Sequence, residues 1–350
     1  MIAWLSVFQV PFSGMRTRIY SAAVGVIMLV VVMFYTHGAE AAPRQSFVAW
    51  RQAVADEAIN SGVDRDLVEE TILQARFIPR IIELDRKQPE KTITFAKYAQ
   101  NVLPQARIKK GRELYHRHRN ILRQVERKYG VPAEVVVALW GIETNYGHNT
   151  GGFKVIDALA TLGYDGRRSA YFRGELLTAL KILDQGHIVP DAMKGSWAGA
   201  MGQNQFMPSS FMRMAVDGNG DGHRDIWRNL PDVFASSANY LAKSGWKRGQ
   251  PWGHPVQLST TFDKSEIGLS RPRSVRMWES MGIALKNNKK LTQLIPPDTR
   301  AYLIQPDGPK GASFIVYDNY KVIMAWNRST YFATSVGMLS DLIKKDHGEQ

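Results

Sequence analysis

Gly141-Ile142-Glu143-Thr144-Asn145-Tyr146-Gly147 closes a run from Val131 to Ile142 that is apolar except for Glu134. Pro132 suits a first helical turn, where its missing N–H has no partner to lose. No charged side chain lies between Val135 and Ile142, so the run predicts a helix buried on all sides rather than an amphipathic one. Asn-Tyr-Gly supplies a stop signal, which puts Glu143 at the C-terminal end of a core helix. Apolar neighbours and the negative end of the helix dipole both disfavour an ionised carboxylate there. Both raise its pKa toward that of a general acid near neutrality. On position alone, a Glu that marks where a core helix meets solvent is the simpler account. The rest of the chain decides between the two.

The 350 residues suggest two or three domains, and 44% hydrophobic with 22% charged residues is an ordinary globular composition. A net charge of +13 suits an acidic polymer: nucleic acid, anionic lipid or cell-wall glycan. The basic residues are dispersed apart from Arg107-Ile-Lys-Lys-Gly-Arg112 and His116-Arg-His-Arg119, and a solvated helix face accounts for both clusters. No helix-turn-helix, RNA-recognition or zinc-finger signature is present, so no nucleic-acid partner is expected. Cysteine is absent, which excludes disulfides, thiolate metal sites, a cysteine nucleophile and a lipid-anchoring cysteine.

Ala22 to Tyr35 is apolar, preceded by Arg16 and Arg18 and followed by Ala39-Glu40-Ala41. That is the layout of a secretory signal peptide, so residues 1–41 are expected to be a leader, or a membrane anchor if left uncleaved. A leader starting at Met15 is complete by itself. From Arg44 the chain reads as successive helices. Phe47, Trp50, Val54 and Ala58 form one stripe, and Asp64 caps a second helix with Leu67, Val68, Ile72 and Leu73. One long basic helix is expected from Gln105 to Tyr129, then helices over Val155–Leu162 and Ser169–Ile188. Pro231 to Gly245 is another, with proline at its start and glycine past its end. After Trp252 short alternating runs appear: Val256–Thr261, Tyr302-Leu-Ile, Phe314–Tyr317 and Lys321–Trp326, with Asp318-Asn319 as a hairpin turn between the last two. A closing helix is expected from Thr330 to Lys345.

Three further motifs carry chemistry. Gly195-Ser-Trp-Ala-Gly-Ala-Met-Gly-Gln-Asn-Gln-Phe-Met-Pro-Ser209 is glycine-rich, and its Ser196, Gln203, Asn204 and Gln205 can donate and accept at sugar hydroxyls and acetamides. A tight loop satisfying its own backbone explains it equally well. Asp217-Gly-Asn219-Gly-Asp221-Gly-His223 matches the first half of an EF-hand loop, with the His223 carbonyl at position seven. Position twelve is Arg228, so the last calcium-binding carboxylate must come from elsewhere, with Asp232 the first candidate and Asp225 the second. An Asp/Asn/Gly turn without metal is the alternative. In Trp326-Asn327-Arg328-Ser329-Thr330-Tyr331, Asn327 is placed to cap the last helix or to reach a ligand, and capping is the default. The histidines show no metal spacing, and Ser196 has no nucleophile elbow around it.

In this order, Glu143, the Ser196–Ser209 stretch, the Asp217 loop and Asn327 resemble the lytic murein transglycosylases of the membrane-bound lytic transglycosylase B family (glycoside hydrolase family 103). The resemblance covers roughly residues 45–345. SWAGAMGQNQFMPSS is its most specific part, and Asp157-Ala-Leu-Ala-Thr-Leu162, Tyr171-Phe-Arg-Gly-Glu-Leu176 and Asn239-Tyr-Leu are also family-like.

The resemblance implies a mainly α (α+β) fold with a lysozyme-like helical core, an additional α-domain and a small β-domain. The expected division is a helical domain over 44–125 joined by the last helix (330–347), a core over 126–252 holding the EF-hand-like loop 217–232, a β-domain over 253–325, and a return to the core at 326–329. It implies Glu143 as the single catalytic acid and base, with Ser196, Gln205, Asn327 and Tyr98 meeting substrate. It implies structural calcium on Asp217, Asn219, Asp221, His223 and Asp232, and no organic cofactor. Trp326 and Phe332 stand where some relatives have tyrosines, and the calcium loop has one more residue before Asp232.

The implied reaction cuts the β-1,4 bond between N-acetylmuramic acid and N-acetylglucosamine in peptidoglycan, leaving 1,6-anhydromuramic acid ends in the periplasm. A hydrolytic muramidase of the same fold and a non-catalytic peptidoglycan-binding protein are the alternatives. The expected partner is the glycan strand, with the cell-wall synthesis machinery as a further candidate.

Overall fold

The computed structural model describes residues 45–87, 93–286 and 289–345, so the expected leader over 1–41 lies outside the described residues. Helices α1 (Phe47–Asn60) and α2 (Arg65–Glu70) begin at Ser46 and Asp64, whose side chains accept the N–H groups of Ala49 and Leu67. Each cap satisfies a donor that the first turn leaves orphaned. Next come α3 (Pro79–Arg86), α4 (Phe95–Val102), α5 (Gln105–Arg117), α6 (Arg119–Tyr129) and α7 (Ala133–Thr144). The single helix expected from Gln105 to Tyr129 is therefore two. The chain bends at His118, whose ring lies edge-on to Trp140 and Phe234 at 6.3 and 5.8 Å. The break lets α5 follow α7 and α14 while α6 turns onto α11.

Beyond α7, β1 (Phe153–Lys154) pairs antiparallel with β2 (Lys194–Gly195) around α8 (Val155–Asp165) and α9 (Ser169–Asp184). Helices α10 (Pro208–Met214) and α11 (Leu230–Lys243) flank the Asp217 loop. A five-stranded antiparallel sheet follows: β3 (Gly253–Leu258), β4 (Gly268–Ser274), β5 (Ile283–Leu285), β6 (Arg300–Ile304) and β7 (Ser313–Tyr317), in the order β4-β6-β7-β3-β5, with α12 (Val275–Ser280) between β4 and β5. The chain ends in α13 (Asp318–Trp326) and α14 (Thr330–Lys344).

Residues 321–326 thus belong to a helix and not to the expected strand, and Asp318-Asn319 is no hairpin turn. Asp318 is held by Arg300, Lys247 and the Tyr302 hydroxyl. Asn319, fully buried, bridges the backbone of Lys247 and Gln250. These anchors fix the first turn of a helix, and neither is visible from local pattern.

Two helical cores meet. One joins α4–α7, α11, α13 and α14 to one face of the sheet, through Tyr302, Ile304, Phe314 and Val316. The other joins α1–α3 to α8–α10 and the Gly-rich stretch. The segment expected as one helical domain over 44–125 is therefore shared between both. The opposite sheet face, with Ala301, Leu303, Ile315 and Tyr317, packs on Trp278 of α12, so the period-two alternation of β6 and β7 serves two cores. Helix α7 is buried from Ala133 to Gly141, as its charge-free run predicts.

The end of α7 is set by a wedge. Asn145 and Tyr146 are left-handed (φ 51° and 60°), and Gly147 follows at 81°. The Tyr146 ring lies where α5 and α7 come together at Gly111 and Gly141; a Cβ on Gly141 would stand 2.7 Å from that ring, and one on Gly111 would overlap its hydroxyl. We expect Gly141→Ala to destabilise the fold by about 1–3 kcal/mol through overpacking. The penalty should shrink in a Tyr146→Leu background, as a double-mutant cycle by chemical denaturation will measure.

Candidate active site

Glu143 sits in the last turn of α7, half-buried. The turn beneath it is tied down by Thr144, whose hydroxyl lies 3.3 Å from the Trp140 carbonyl and 3.2 Å from that of Gln203 while accepting the Gly147 N–H at 3.0 Å. The Glu143 carboxylate accepts the indole N–H of Trp326 at 2.7 Å. That indole packs on Tyr240 and Phe206, at 4.8 and 5.2 Å between ring centres. Tyr240 and Trp326 pack against both helical cores, so Glu143 opens at their seam. Trp326 was visible in sequence only as a departure from relatives; its contact with Glu143 spans 183 positions.

Tyr98, on α4, is brought to the same place. Its ring packs on Tyr331 at 5.6 Å, and its buried hydroxyl has no partner among the described residues. Burial chiefly, and then the Glu143 carboxylate, push that hydroxyl above its ordinary pKa, while Arg107 pulls it back. Arg107 is the residue that sequence reading missed, having been assigned to a solvated face. It is half-buried, its own pKa drawn down by burial, and Tyr98 and Tyr146 act on it in return.

Ser196 and Gln205 lie in the Gly-rich stretch and are both buried. The Ser196 oxygen accepts the N–H groups of Ala198 and Ala200 at 3.2 and 3.1 Å, which leaves its hydroxyl proton to give. Gln205 is left-handed at φ 53° and donates both amide protons, to Thr150 and Gly202 carbonyls at 2.9 Å, which leaves its Oε1 as an acceptor. Its neighbour Phe206 packs on Trp326, so the stretch borders the seam. Gln203 and Asn204 are structural. Gln203 bridges the Trp140 indole to the Trp227 carbonyl, and Asn204 holds α11 through Val233 and Ser237. Asn327 does not cap α14; Ser329 does, accepting the Phe332 N–H, and Asn327 in turn accepts the Ser329 N–H at 3.0 Å. A backbone N–H two residues on is within easy reach of an Asn side chain, which explains the swap.

A model of the family described as "Transglycosylase SLT domain" matches residues 46–341. The chain belongs to the SLT transglycosylase family. It is a peptidoglycan lytic transglycosylase, a lyase acting on murein. Among relatives of this family, the membrane-bound lytic murein transglycosylase B of Escherichia coli (strain K12) is 30% identical over 304 residues, covering 83% of this chain and 82% of its own length. SltB3 of Pseudomonas aeruginosa, solved in complex with NAG-NAM-pentapeptide, is 41% identical with a TM-score of 0.84, over 86% of this chain and 80% of that one. The Escherichia coli lytic transglycosylase Slt35, solved in complex with calcium, is 29% identical with a TM-score of 0.70, over 84% of this chain and 92% of that one.

In this SLT transglycosylase the Asp217 loop runs between α10 and α11, a helix–loop–helix arrangement. Asp217 accepts the N–H groups of Gly220 and Gly222, Asp221 that of His223, and Asp232 those of Gly218 and Asp225. Among the described residues no group of three or more His, Asp or Glu side chains converges to hold a metal. The donor chemistry nonetheless suits calcium: hard carboxylate and amide oxygens, with no nitrogen or sulfur ligand required. Asp232 is fully buried, and burial followed by the charges of Asp217 and Asp221 lifts its pKa to about 6. Asp217 and Asp221, by contrast, are drawn below their ordinary pKa, chiefly by hydrogen bonds from the Gly222 backbone and from the Asn219 side chain.

Proposed function

We propose that Glu143 performs both proton transfers of the lytic reaction. In its neutral form it protonates the glycosidic oxygen between N-acetylmuramic acid and N-acetylglucosamine. The C1–O bond breaks, and N-acetylglucosamine leaves carrying that proton as its hydroxyl. The muramic acetamide stabilises the positive C1 centre, which makes a second carboxylate unnecessary. The Glu143 carboxylate then removes the proton from the C6 hydroxyl, O6 bonds to C1, and a 1,6-anhydro ring closes without water. Glu143 ends protonated, ready for another turn.

The observation that carries this reading is the 2.7 Å bond from Trp326 to Glu143 at the seam of two cores. A fixed N–H on Oε1 holds the carboxyl in one orientation for both transfers. The spare proton of Ser196, the spare oxygen of Gln205, the Tyr98 hydroxyl and Asn327 are our candidates to hold the sugar ring and acetamide. Their contribution is orientation. We also assign calcium to Asp217, Asn219, Asp221, the His223 carbonyl and Asp232, in a structural role at the entry to α11. Residues 1–41 we read as an export segment for the periplasm, in keeping with a relative named as membrane-bound. Among the described residues no helix is long and apolar enough to cross a membrane.

Four outcomes test these assignments. Digestion of purified peptidoglycan is expected to yield anhydromuramic ends by mass spectrometry, and Glu143→Gln to yield none. Trp326→Phe keeps the packing but loses the N–H, and should lower kcat by about tenfold, the worth of a charge-assisted bond. Reducing-end muramic acid in place of anhydro ends would instead favour a hydrolytic muramidase. Calcium is expected to raise Tm and a chelator to lower it, with cutting retained at temperatures well below the transition; a Tm indifferent to both would remove the metal assignment. The intact mass of the exported protein will show whether residues 1–41 are removed.

A further inference from the structure

The turn that follows Glu143 forms one wall of a cavity that the reaction does not use. It has a volume of about 430 Å³ and is lined by Lys110, Asn145, Tyr146, Gly147 and His148, with no carboxylate among them. That is the size of a small-ligand pocket. Its wall begins two residues beyond Glu143, on the left-handed turn that the Tyr146 wedge imposes. The Tyr146 hydroxyl donates to the Arg107 carbonyl at 2.8 Å, and the Arg107 Nε lies 3.5 Å from the Asn145 Oδ1, so two residues of the cavity wall touch Arg107.

The charge here is positive and poorly compensated. Arg107 is half-buried, yet its hydrogen-bond partners among the described residues are neutral: the Val102 carbonyl and, at 3.5 Å, the Asn145 Oδ1. A guanidinium taken partly out of water without an anion is costly unless something pairs with it. Lys110, at the rim, has among the described residues only the exposed i,i+3 contact to Glu113 at 3.4 Å. Such pairs are weak enough for the ammonium to turn elsewhere. Tyr98 ties the cavity to the catalytic group, because both Glu143 and Arg107 act on its hydroxyl.

We infer that this cavity is a subsite for a carboxylate of the peptide stem carried by the muramic acid that Glu143 cuts. The inference rests on the proposed function and adds to it a determinant of which strands are taken. Lys110 meets the carboxylate from the rim, Arg107 supplies charge from behind, and the Asn145 amide donates from the side. A naked glycan would leave the cavity empty and bind more weakly.

The experiment uses Glu143→Gln protein, which binds without cutting, titrated calorimetrically with a muramyl peptide bearing free carboxylates and with the same compound fully amidated. The acid form should bind about tenfold more tightly at low salt, as expected of one charge-assisted contact at a partly exposed site, and the difference should shrink as salt is added. Lys110→Gln, at an exposed position that does not threaten folding, should remove most of that difference, and Arg107→Gln the rest. Equal affinities for the two forms, or a difference untouched by Lys110→Gln, would overturn the subsite. With the Glu143-active protein, the ratio of kcat/KM on stem-bearing strands to that on amidase-stripped strands should fall in the Lys110 variant. Failure of the proposed reaction would show separately, as anhydro ends missing from the wild-type digest while the binding difference persists.

Discussion

The insertion of one aromatic ring between two helices is the constraint on which the site depends. Tyr146 lies against Gly111 and Gly141, packs on Trp140 at 5.4 Å, and spends its hydroxyl on the Arg107 carbonyl. Two consecutive non-glycine residues in the left-handed region cost about 1–2 kcal/mol each, so Asn145 and Tyr146 hold that shape only because the buried ring requires it. The same insertion ends α7 one residue after Glu143, brings α5 close, and shapes the loop that follows. Position of the acid, position of the cation and shape of the wall between them are one packing problem.

A second constraint acts from the far end of the chain. The two helical cores touch through Trp326, Tyr240 and Phe206, and the indole of that cluster points its N–H at Glu143. Helix α13 has to be placed before this can happen. Its placement comes from Asp318 and Asn319, which join it to Arg300 on the sheet and to Lys247 and Gln250 after α11. The small sheet therefore acts on the active site at a distance, by setting where α13 begins. This is a positioning role, since no strand contributes one of the side chains gathered around Glu143.

What the sequence discloses follows the range of the interaction. Helix starts at Asp64 and near Pro231, the buried run of α7 and its Asn-Tyr-Gly stop are local events, and local pattern finds them. The break at His118 is set by Trp140 and Phe234, from other helices, and the basic periodicity of 105–129 carries no sign of it. Residues 321–326 contain enough apolar side chains to pass for a strand, and only the distant anchors of Asp318 and Asn319 decide for a helix. Glu143 stands out at the end of a charge-free helix, but position alone favours a plain helix-end residue, and it is the order with the Ser196–Ser209 stretch, the Asp217 loop and Asn327 that singles it out. Arg107 was not legible, because a cation in a basic run resembles every other exposed cation until its burial is known. Asn327 shows the same limit on a smaller scale: two residues able to cap stand two positions apart, and geometry gives the cap to Ser329.

The polar groups around Glu143 show how a loop can be both rigid and receptive. Ser196 and Gln205 each spend one side of their hydrogen-bonding capacity on the backbone and keep the other: a proton on the serine, an oxygen on the glutamine. Gln203, between them in sequence, instead uses both ends of its amide on Trp140 and Trp227, and Asn204 donates to Val233 and Ser237 while its Oδ1 has no partner among the described residues; the pair holds the stretch in place. Among the described residues the Tyr98 hydroxyl has no partner. Leaving a buried polar group unmatched costs about 1–3 kcal/mol, a cost that the proposed sugar contact would offset. A sugar bearing an acetamide offers both a carbonyl and an N–H, which is the combination that a spare proton and a spare oxygen can hold in one orientation.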